Sequence, residues 1–368
     1  MNIQAALAFE SNGPLRMETV EMADPGPHQI RVRLVATGLC HTDLNVLANP
    51  AMPWPVLFGH EGAGVVEQIG DQVSKVAVGD HVIMTTTSCG VCPSCVQGNP
   101  SYCARFRELN MSGGRTCDGG CSHQFDAKPV FAGFLGQSSF ASHLLTGERN
   151  VIKVDADLPL DVLAPLGCGI QTGAGAVLNT LRPRPGSSLV VFGAGGVGLA
   201  ALMAAAIAGC SQRIVVDKIP SRLALATELG ATHVIDADSV DVLAAIRAIT
   251  GGGADFCVEA TGVPVVMEQA IAALGIGGSA ALVGIAGAQA NVAFNPMELQ
   301  SKNLKIQGSI MAGVGGIPDL FIPQLIGYWK AGLLPVEKMI RYYTFEEINQ
   351  AIHDARAGSA IKPVLRLS

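Results

Sequence analysis

The stretch that decides the fold runs from Ser188 to Asp217, SLVVFGAGGVGLAALMAAAIAGCSQRIVVD. Leu189 to Cys210 is uncharged and mostly apolar, long enough on its own to cross a bilayer. Four glycines, Gly193, Gly195, Gly196 and Gly198, interrupt that run directly after Leu189–Phe192, whose β-branched and aromatic residues favour a strand. Gly193-x-Gly195-x-x-Gly198 is the spacing at which a strand turns sharply into a helix, leaving backbone N–H groups free to cradle a pyrophosphate. A second strand, Arg213–Val216, ends in Asp217, nineteen residues after Gly198. A carboxylate there accepts hydrogen bonds from a ribose 2′-OH. Two strands joined by an Ala-rich helix form a βαβ unit, so the stretch reads as a dinucleotide platform; a Gly-rich buried crossover or a bilayer span is the alternative.

Downstream, the pattern alternates between helix and strand. Helices are expected over Leu223–Leu229, Val240–Ile249 and Val265–Leu274, and strands over His233–Ile235, Ala254–Glu259, Ser279–Gly284 and Leu304–Gly308. Such alternation predicts a doubly wound parallel sheet. Upstream, Gln4–Phe9 and Gln29–Thr37 read as short strands of a barrel-like, largely antiparallel region.

A chain of 368 residues suits two domains. Charged residues make up only 15%, against about 25% in an average soluble domain, which implies large buried strands and a subunit interface. The net charge of −6 offers no basic surface to a nucleic acid. The first residues, MNIQAALAFESNG, lack the basic start and apolar core of a signal peptide, so a cytoplasmic protein without a membrane anchor is expected.

In a large cytoplasmic chain, the ten cysteines point to metal rather than disulfides. Cys89, Cys92, Cys95 and Cys103 stand at spacings of three, three and eight. Four thiolates so placed close a tetrahedron with no open position, the mark of a structural zinc. Cys40, in GLCHTD, His60, in GHEGAGVV, and Cys168, in PLGCG, are further candidate ligands. Cys117 and Cys121 receive no role, and Cys210 and Cys257 read as core.

From end to end these motifs resemble the zinc-containing alcohol dehydrogenases of the medium-chain dehydrogenase/reductase superfamily. The resemblance implies an α/β chain: a Rossmann domain over 170–308 and a GroES-like, mainly β catalytic domain over 1–169 and 309–368. It also implies one catalytic and one structural zinc per subunit, the catalytic ion held by Cys40, His60 and Cys168 with the fourth position left to substrate oxygen. By the same resemblance Asp43 orients His60, Glu61 lies behind the metal, and Thr42 accepts the proton of the alcohol. His41 and Lys362 are placed at the cofactor pyrophosphate, and Thr172, Val197 and the backbone near Ile285 at the nicotinamide. Asp217 selects NAD, because a 2′-phosphate would be repelled by its carboxylate, and Arg222 reaches the adenosine ribose. Asn45 stands where better-known relatives carry a histidine base, and an amide cannot take a proton.

The runs GPLGCGIQTGAGAVLN and FLGQSSFASH look most like dehydrogenases of aryl and allylic primary alcohols, with Trp54 and Thr85 as pocket residues. The rival readings are a thiol-dependent formaldehyde dehydrogenase and a non-enzymatic zinc- and NAD-binding redox sensor. The expected partners are a small alcohol or aldehyde and a second copy of the chain. The irregular stretch Arg105–Gln137 resembles the form found in dimers rather than tetramers.

Overall fold

The structure, a computed structural model, describes residues 1–111, 113–114 and 121–367. The chain divides into two compact units: Met1–Cys168 with Pro318–Ile326 and Glu337–Ser368, and Gly169–Ile317 with Gly327–Val336. The return to the first unit, expected at residue 309, falls at Pro318.

In the first unit the long strand Gln29–Gly38 is the spine. Its alternation buries Ile30, Val32, Leu34 and Ala36 and turns Arg31 and Arg33 away from the core. It pairs antiparallel with Glu61–Ile69, bringing Gly38 opposite Glu61, and with the C-terminal strand Lys362–Arg366, bringing Gly38 opposite Val364. The registers matter for the chemistry, since they set Cys40, just past the strand's end, beside His60 and Lys362. His81–Met84, Val151–Val154, His143–Gly147 and Ile340–Thr344 complete this sheet of seven strands. A second sheet of five holds Asn2–Ala8 between Val56–Leu57 and Arg16–Met22. All but one of the strand pairs in these sheets are antiparallel, the exception being Ile340–Thr344 with Lys362–Arg366. Arg105–Gln137, expected to be irregular, contains a helix over Phe106–Asn110 and the paired strands His123–Phe125 and Lys128–Pro129.

The second unit is the doubly wound sheet. Its six strands lie in the order His233–Asp236, Gln212–Asp217, Ser188–Phe192, Ala254–Glu259, Leu274–Leu282 and Lys305–Gly308, every pair parallel. The apolar run from Leu189 is divided by its glycines into the buried strand Ser188–Phe192 and the helix Gly196–Ile207, which is buried from Gly198 to Ala205. Burial inside the sheet–helix layers, not a lipid environment, accounts for its lack of charge. Among the described residues no helix is long and apolar enough to cross a membrane. Leu274, expected to close a helix, instead opens a strand; the helix stops at Ala272, and the strand bulges through Gly275–Gly278 before pairing regularly again at Ser279.

The glycines of the decisive stretch have different causes. Gly193 takes φ +95°, a conformation that L side chains rarely adopt. At Gly198 a Cβ would stand 1.8 Å from the Gly193 carbonyl oxygen, so the helix reaches the strand only with hydrogen at that position. Gly195 has open space where a Cβ would be. Gly198→Ala should therefore cost about 1–3 kcal/mol through overpacking and lower the thermal midpoint, whereas Gly195→Ala should leave that midpoint near wild type. Paired melting curves check this difference.

Candidate metal centres and cofactor loop

Cys40 ends the extended chain and caps the helix His41–Leu47. Asp43, in the first turn of that helix and 2% exposed, uses both carboxylate oxygens. Its Oδ2 accepts the Cys40 N–H at 2.9 Å, and its Oδ1 accepts from His60 Nδ1 at 2.9 Å and from the Gly59 N–H at 3.2 Å. With Nδ1 committed as donor, the buried Nε2 of His60 faces the site with no hydrogen-bond partner. A bare, desolvated imidazole nitrogen is costly unless something binds it.

Cys168 follows the tight turn Ala164–Gly167, which approaches the sheet so closely that a Cβ on Gly167 would lie 1.9 Å from the Met84 carbonyl oxygen. Ligand atoms of Cys40, His60, Glu61 and Cys168 all lie within 4.8 Å of one another. A hydrogen bond from the Cys168 thiol draws the Cys40 pKa well below its ordinary value, while the same bond and burial hold Cys168 well above it. Two sulfurs and a bare imidazole nitrogen fit a zinc ion with one position left open.

Behind these ligands, the fully buried Glu61 carboxylate meets Lys362 Nζ at 2.9 and 3.0 Å. Burial pushes the Glu61 pKa up, and Lys362 draws it back. Burial lowers the Lys362 pKa, but Glu61 outweighs it and the net direction is upward. Lys362, expected at the pyrophosphate, is thus 4% exposed and engaged by Glu61, with a longer contact to the Leu39 carbonyl. Sequence reading missed that pairing. It also missed Gln137, fully buried and bonded to the backbone on both sides of Glu61; amid the serines of FLGQSSFASH nothing in the sequence marks it out.

Thr42 Oγ1 lies 3.8 Å from Cys40 Sγ. His41 and Asn45 are exposed on the same helix. Trp54, Phe58 and Phe134 form a row of edge-to-face contacts that ends on the His60 ring, with Phe134 and His60 centroids 5.6 Å apart. Thr85 is buried, its backbone bonded to Asn150.

The four-cysteine cluster is assembled by one local stretch. Cys92 Sγ lies 3.5 Å from Cys95 Sγ and 4.0 Å from Cys103 Sγ, and all four sulfurs fall within 4.8 Å. Backbone N–H groups of Cys89, Cys92, Ala104 and Arg105 point at the sulfurs. The Ala104 N–H helps draw the Cys92 pKa down to about 6, and burial pushes Cys95 up to about 11. Four converging sulfurs supplied with amide donors fit a closed structural zinc. Cys121 Sγ contacts the His123 carbonyl, Cys117 lies outside the described residues, and Cys210 and Cys257 are core.

In the second unit the expected cofactor residues gather at the C-terminal ends of the parallel strands, where open α/β sheets bind ligands. Gly195 precedes the helix Gly196–Ile207 in extended conformation, and Val197 is half-buried in its first turn. Asp217 Oδ2 accepts the Ala194 N–H at 2.6 Å, and its Oδ1 accepts from Lys218 and Ile219, so the carboxylate already ties the glycine loop to the neighbouring strand. Arg222 Nε is buried without a partner. Thr172 Oγ1 lies 4.0 Å from Met311 Sδ, and Ile285 is 61% exposed.

Comparison with known proteins agrees with this chemistry over the whole chain. Residues 26–156 match the alcohol dehydrogenase GroES-like domain, and residues 196–324 match the zinc-binding dehydrogenase domain. Geraniol dehydrogenase of Castellaniella defragrans is 42% identical over 99% of this chain and 98% of its own. The chain belongs to the zinc-containing alcohol dehydrogenases. It is a zinc-dependent alcohol oxidoreductase. The crystal structure of benzyl alcohol dehydrogenase from Acinetobacter calcoaceticus superposes with a TM-score of 0.95 at 41% identity, covering 100% of both chains. S-(hydroxymethyl)glutathione dehydrogenase of Komagataella pastoris is more distant, 33% identical over 99% of this chain and 97% of its own.

Within this dehydrogenase the Asp43–His60 contact has a measurable consequence. Asp43→Ala frees the His60 ring and should weaken metal binding at Cys40, His60 and Cys168 by about 10–100-fold. Zinc retention against a competing chelator measures the loss.

Proposed function

We propose that the enzyme interconverts primary aryl or allylic alcohols and their aldehydes, with NAD as hydride acceptor and donor. The observation that carries this reading is the convergence of Cys40, His60 Nε2 and Cys168 beside Thr42, in a chain similar along its whole length to a geraniol dehydrogenase and a benzyl alcohol dehydrogenase. The lower identity to the S-(hydroxymethyl)glutathione dehydrogenase weighs against a thiol-dependent formaldehyde activity.

Cys40, His60 and Cys168 would hold the catalytic zinc, which supplies Lewis acidity that lowers the pKa of an alcohol hydroxyl. Cys89, Cys92, Cys95 and Cys103 would hold the structural ion. Thr42 takes the hydroxyl proton and passes it toward the cofactor ribose. Asp43 keeps His60 Nδ1 protonated, orients the ring and makes Nε2 a stronger donor to a metal. Lys362 neutralises Glu61 behind the ligands and turns to the pyrophosphate side with His41 when cofactor is present. Gly193 makes the turn and Gly198 lets the helix close on the strand, so that the bare backbone at Gly195 and Gly196 admits the pyrophosphate, while Thr172, Val197 and the backbone at Ile285 receive the nicotinamide. Asp217, with Arg222 nearby, takes the ribose hydroxyls and favours NAD over NADP. Asn45 cannot serve as a base, so a proton relay to solvent runs through water or another group. The low charged fraction favours a homo-oligomer, which we take to be a dimer.

Turnover of benzyl alcohol with NAD is the direct test. Wild-type enzyme should reduce NAD, and Cys168→Ala should lose turnover while keeping its circular-dichroism spectrum. Full activity in that variant would rule out the metal-dependent route.

A further inference from the structure

The strand that follows His60 lacks a strand neighbour on one side at its start. Glu61–Ile69 pairs along one edge with Gln29–Gly38 from Gly38↔Glu61 onward. On its other edge His81–Met84 begins to pair only at Ala63. The His60 carbonyl and the Gly62 N–H would therefore face that edge unpaired, a costly state for buried backbone. One side chain takes both: Gln137 Nε2 donates to the His60 carbonyl at 2.7 Å, and Gln137 Oε1 accepts the Gly62 N–H at 3.2 Å. A primary amide of this reach offers a donor and an acceptor on adjacent atoms; a carboxylate has no hydrogen to give the carbonyl.

The loop that presents Gln137 is strained. Leu135, Gly136 and Ser138 have φ of +49°, +76° and +58°, a left-handed conformation that Leu and Ser seldom adopt. Such a backbone persists only when its surroundings over-determine it, and here the compensating bonds land on the segment leading into His60. Ser138 Oγ donates to the Leu57 carbonyl at 2.6 Å, Phe140 N–H to Phe58 at 3.0 Å, and Ser139 N–H to Gly59 at 3.0 Å. Phe134, from the same loop, sets its ring edge-to-face with the His60 imidazole.

From this geometry we infer that Gln137 is a positioning residue for the catalytic metal: it fixes the backbone from which His60 projects, as Asp43 fixes the ring. The inference rests on Cys40, His60 and Cys168 being zinc ligands. The two constraints act on different sides of His60: Asp43 holds the ring and the preceding Gly59 N–H, and Gln137 holds the His60 carbonyl and the Gly62 N–H beyond it. Asp43 alone leaves the His60 carbonyl and the Gly62 N–H, on the far side of the ligand, without a partner from the open edge.

The test compares Gln137→Met, which keeps the volume and removes both bonds, with Gln137→Glu, which keeps the acceptor and removes the donor. In Gln137→Met, zinc held by Cys40, His60 and Cys168 should pass to a chelator about tenfold faster or more, while zinc of the four-cysteine cluster leaves at the wild-type rate. Deuterium uptake at the Gly62 amide should rise in Gln137→Met and stay near wild type in Gln137→Glu, which should still release the catalytic zinc faster. An unchanged rate of release in Gln137→Met, or equal acceleration at both metal sites, would overturn the inference, since the loop would then be structural filling alone. If wild-type protein carries no zinc at Cys40, His60 and Cys168, the proposed reaction fails, and unchanged Gly62 uptake in Gln137→Met overturns the brace by itself.

Discussion

A buried imidazole can bind a metal only if one ring nitrogen is kept protonated and the other bare. Here the Asp43 carboxylate, 2.9 Å from His60 Nδ1, holds the proton on that nitrogen and leaves Nε2 as the one turned to the other ligands. Asp43 can do so because it is itself pinned by the Cys40 and Gly59 N–H groups, so a single carboxylate ties the first ligand, the chain leading to the second, and the second ligand's ring. Remove the interaction and the other features lose their purpose: the strained loop behind His60, the buried ion pair of Glu61 and Lys362, and the close turn that delivers Cys168. A buried ion pair seldom adds much net stability. The value of Glu61–Lys362 lies in placing a compensated carboxylate next to the metal ligands.

The two metal centres show opposite ways of assembling a site. Cys89, Cys92, Cys95 and Cys103 lie within fifteen consecutive positions and need only a short helical turn and backbone amides to bring their sulfurs together. Cys40, His60 and Cys168 are scattered along the first unit and meet because three strand registers, one helix cap and one tight turn place them. The local cluster offers four sulfurs, the number that closes a tetrahedron around a structural ion. The dispersed one offers two sulfurs and an imidazole nitrogen, a set that would leave a position open for substrate, and its rigidity comes from elsewhere in the chain.

This difference explains what could be read from the sequence. The glycine spacing at Gly193–Gly198, the acid at Asp217 and the cysteine spacing at Cys89–Cys103 are short-range signals tied to backbone chemistry, and the doubly wound order follows from them with the helix–strand alternation. Lys362 and Gln137 carry no such signal. Their partners are 301 and 77 residues away in sequence, so neither the buried ion pair that Lys362 makes with Glu61 nor the sheet edge that Gln137 completes is visible in the local motif. The boundary at Leu274 failed for a related reason: helical periodicity continued up to it, but the glycines that follow allow the strand to begin early and bulge.

The central claim is that one chain holds one closed and one open zinc site. Anomalous diffraction from crystals of the enzyme, measured on both sides of the zinc absorption edge, tests it most directly. The expected result is two zinc peaks per chain, one enclosed by the sulfurs of Cys89, Cys92, Cys95 and Cys103 and one among Cys40 Sγ, His60 Nε2 and Cys168 Sγ. A single peak confined to the four-cysteine cluster, in protein never exposed to chelator, would contradict it.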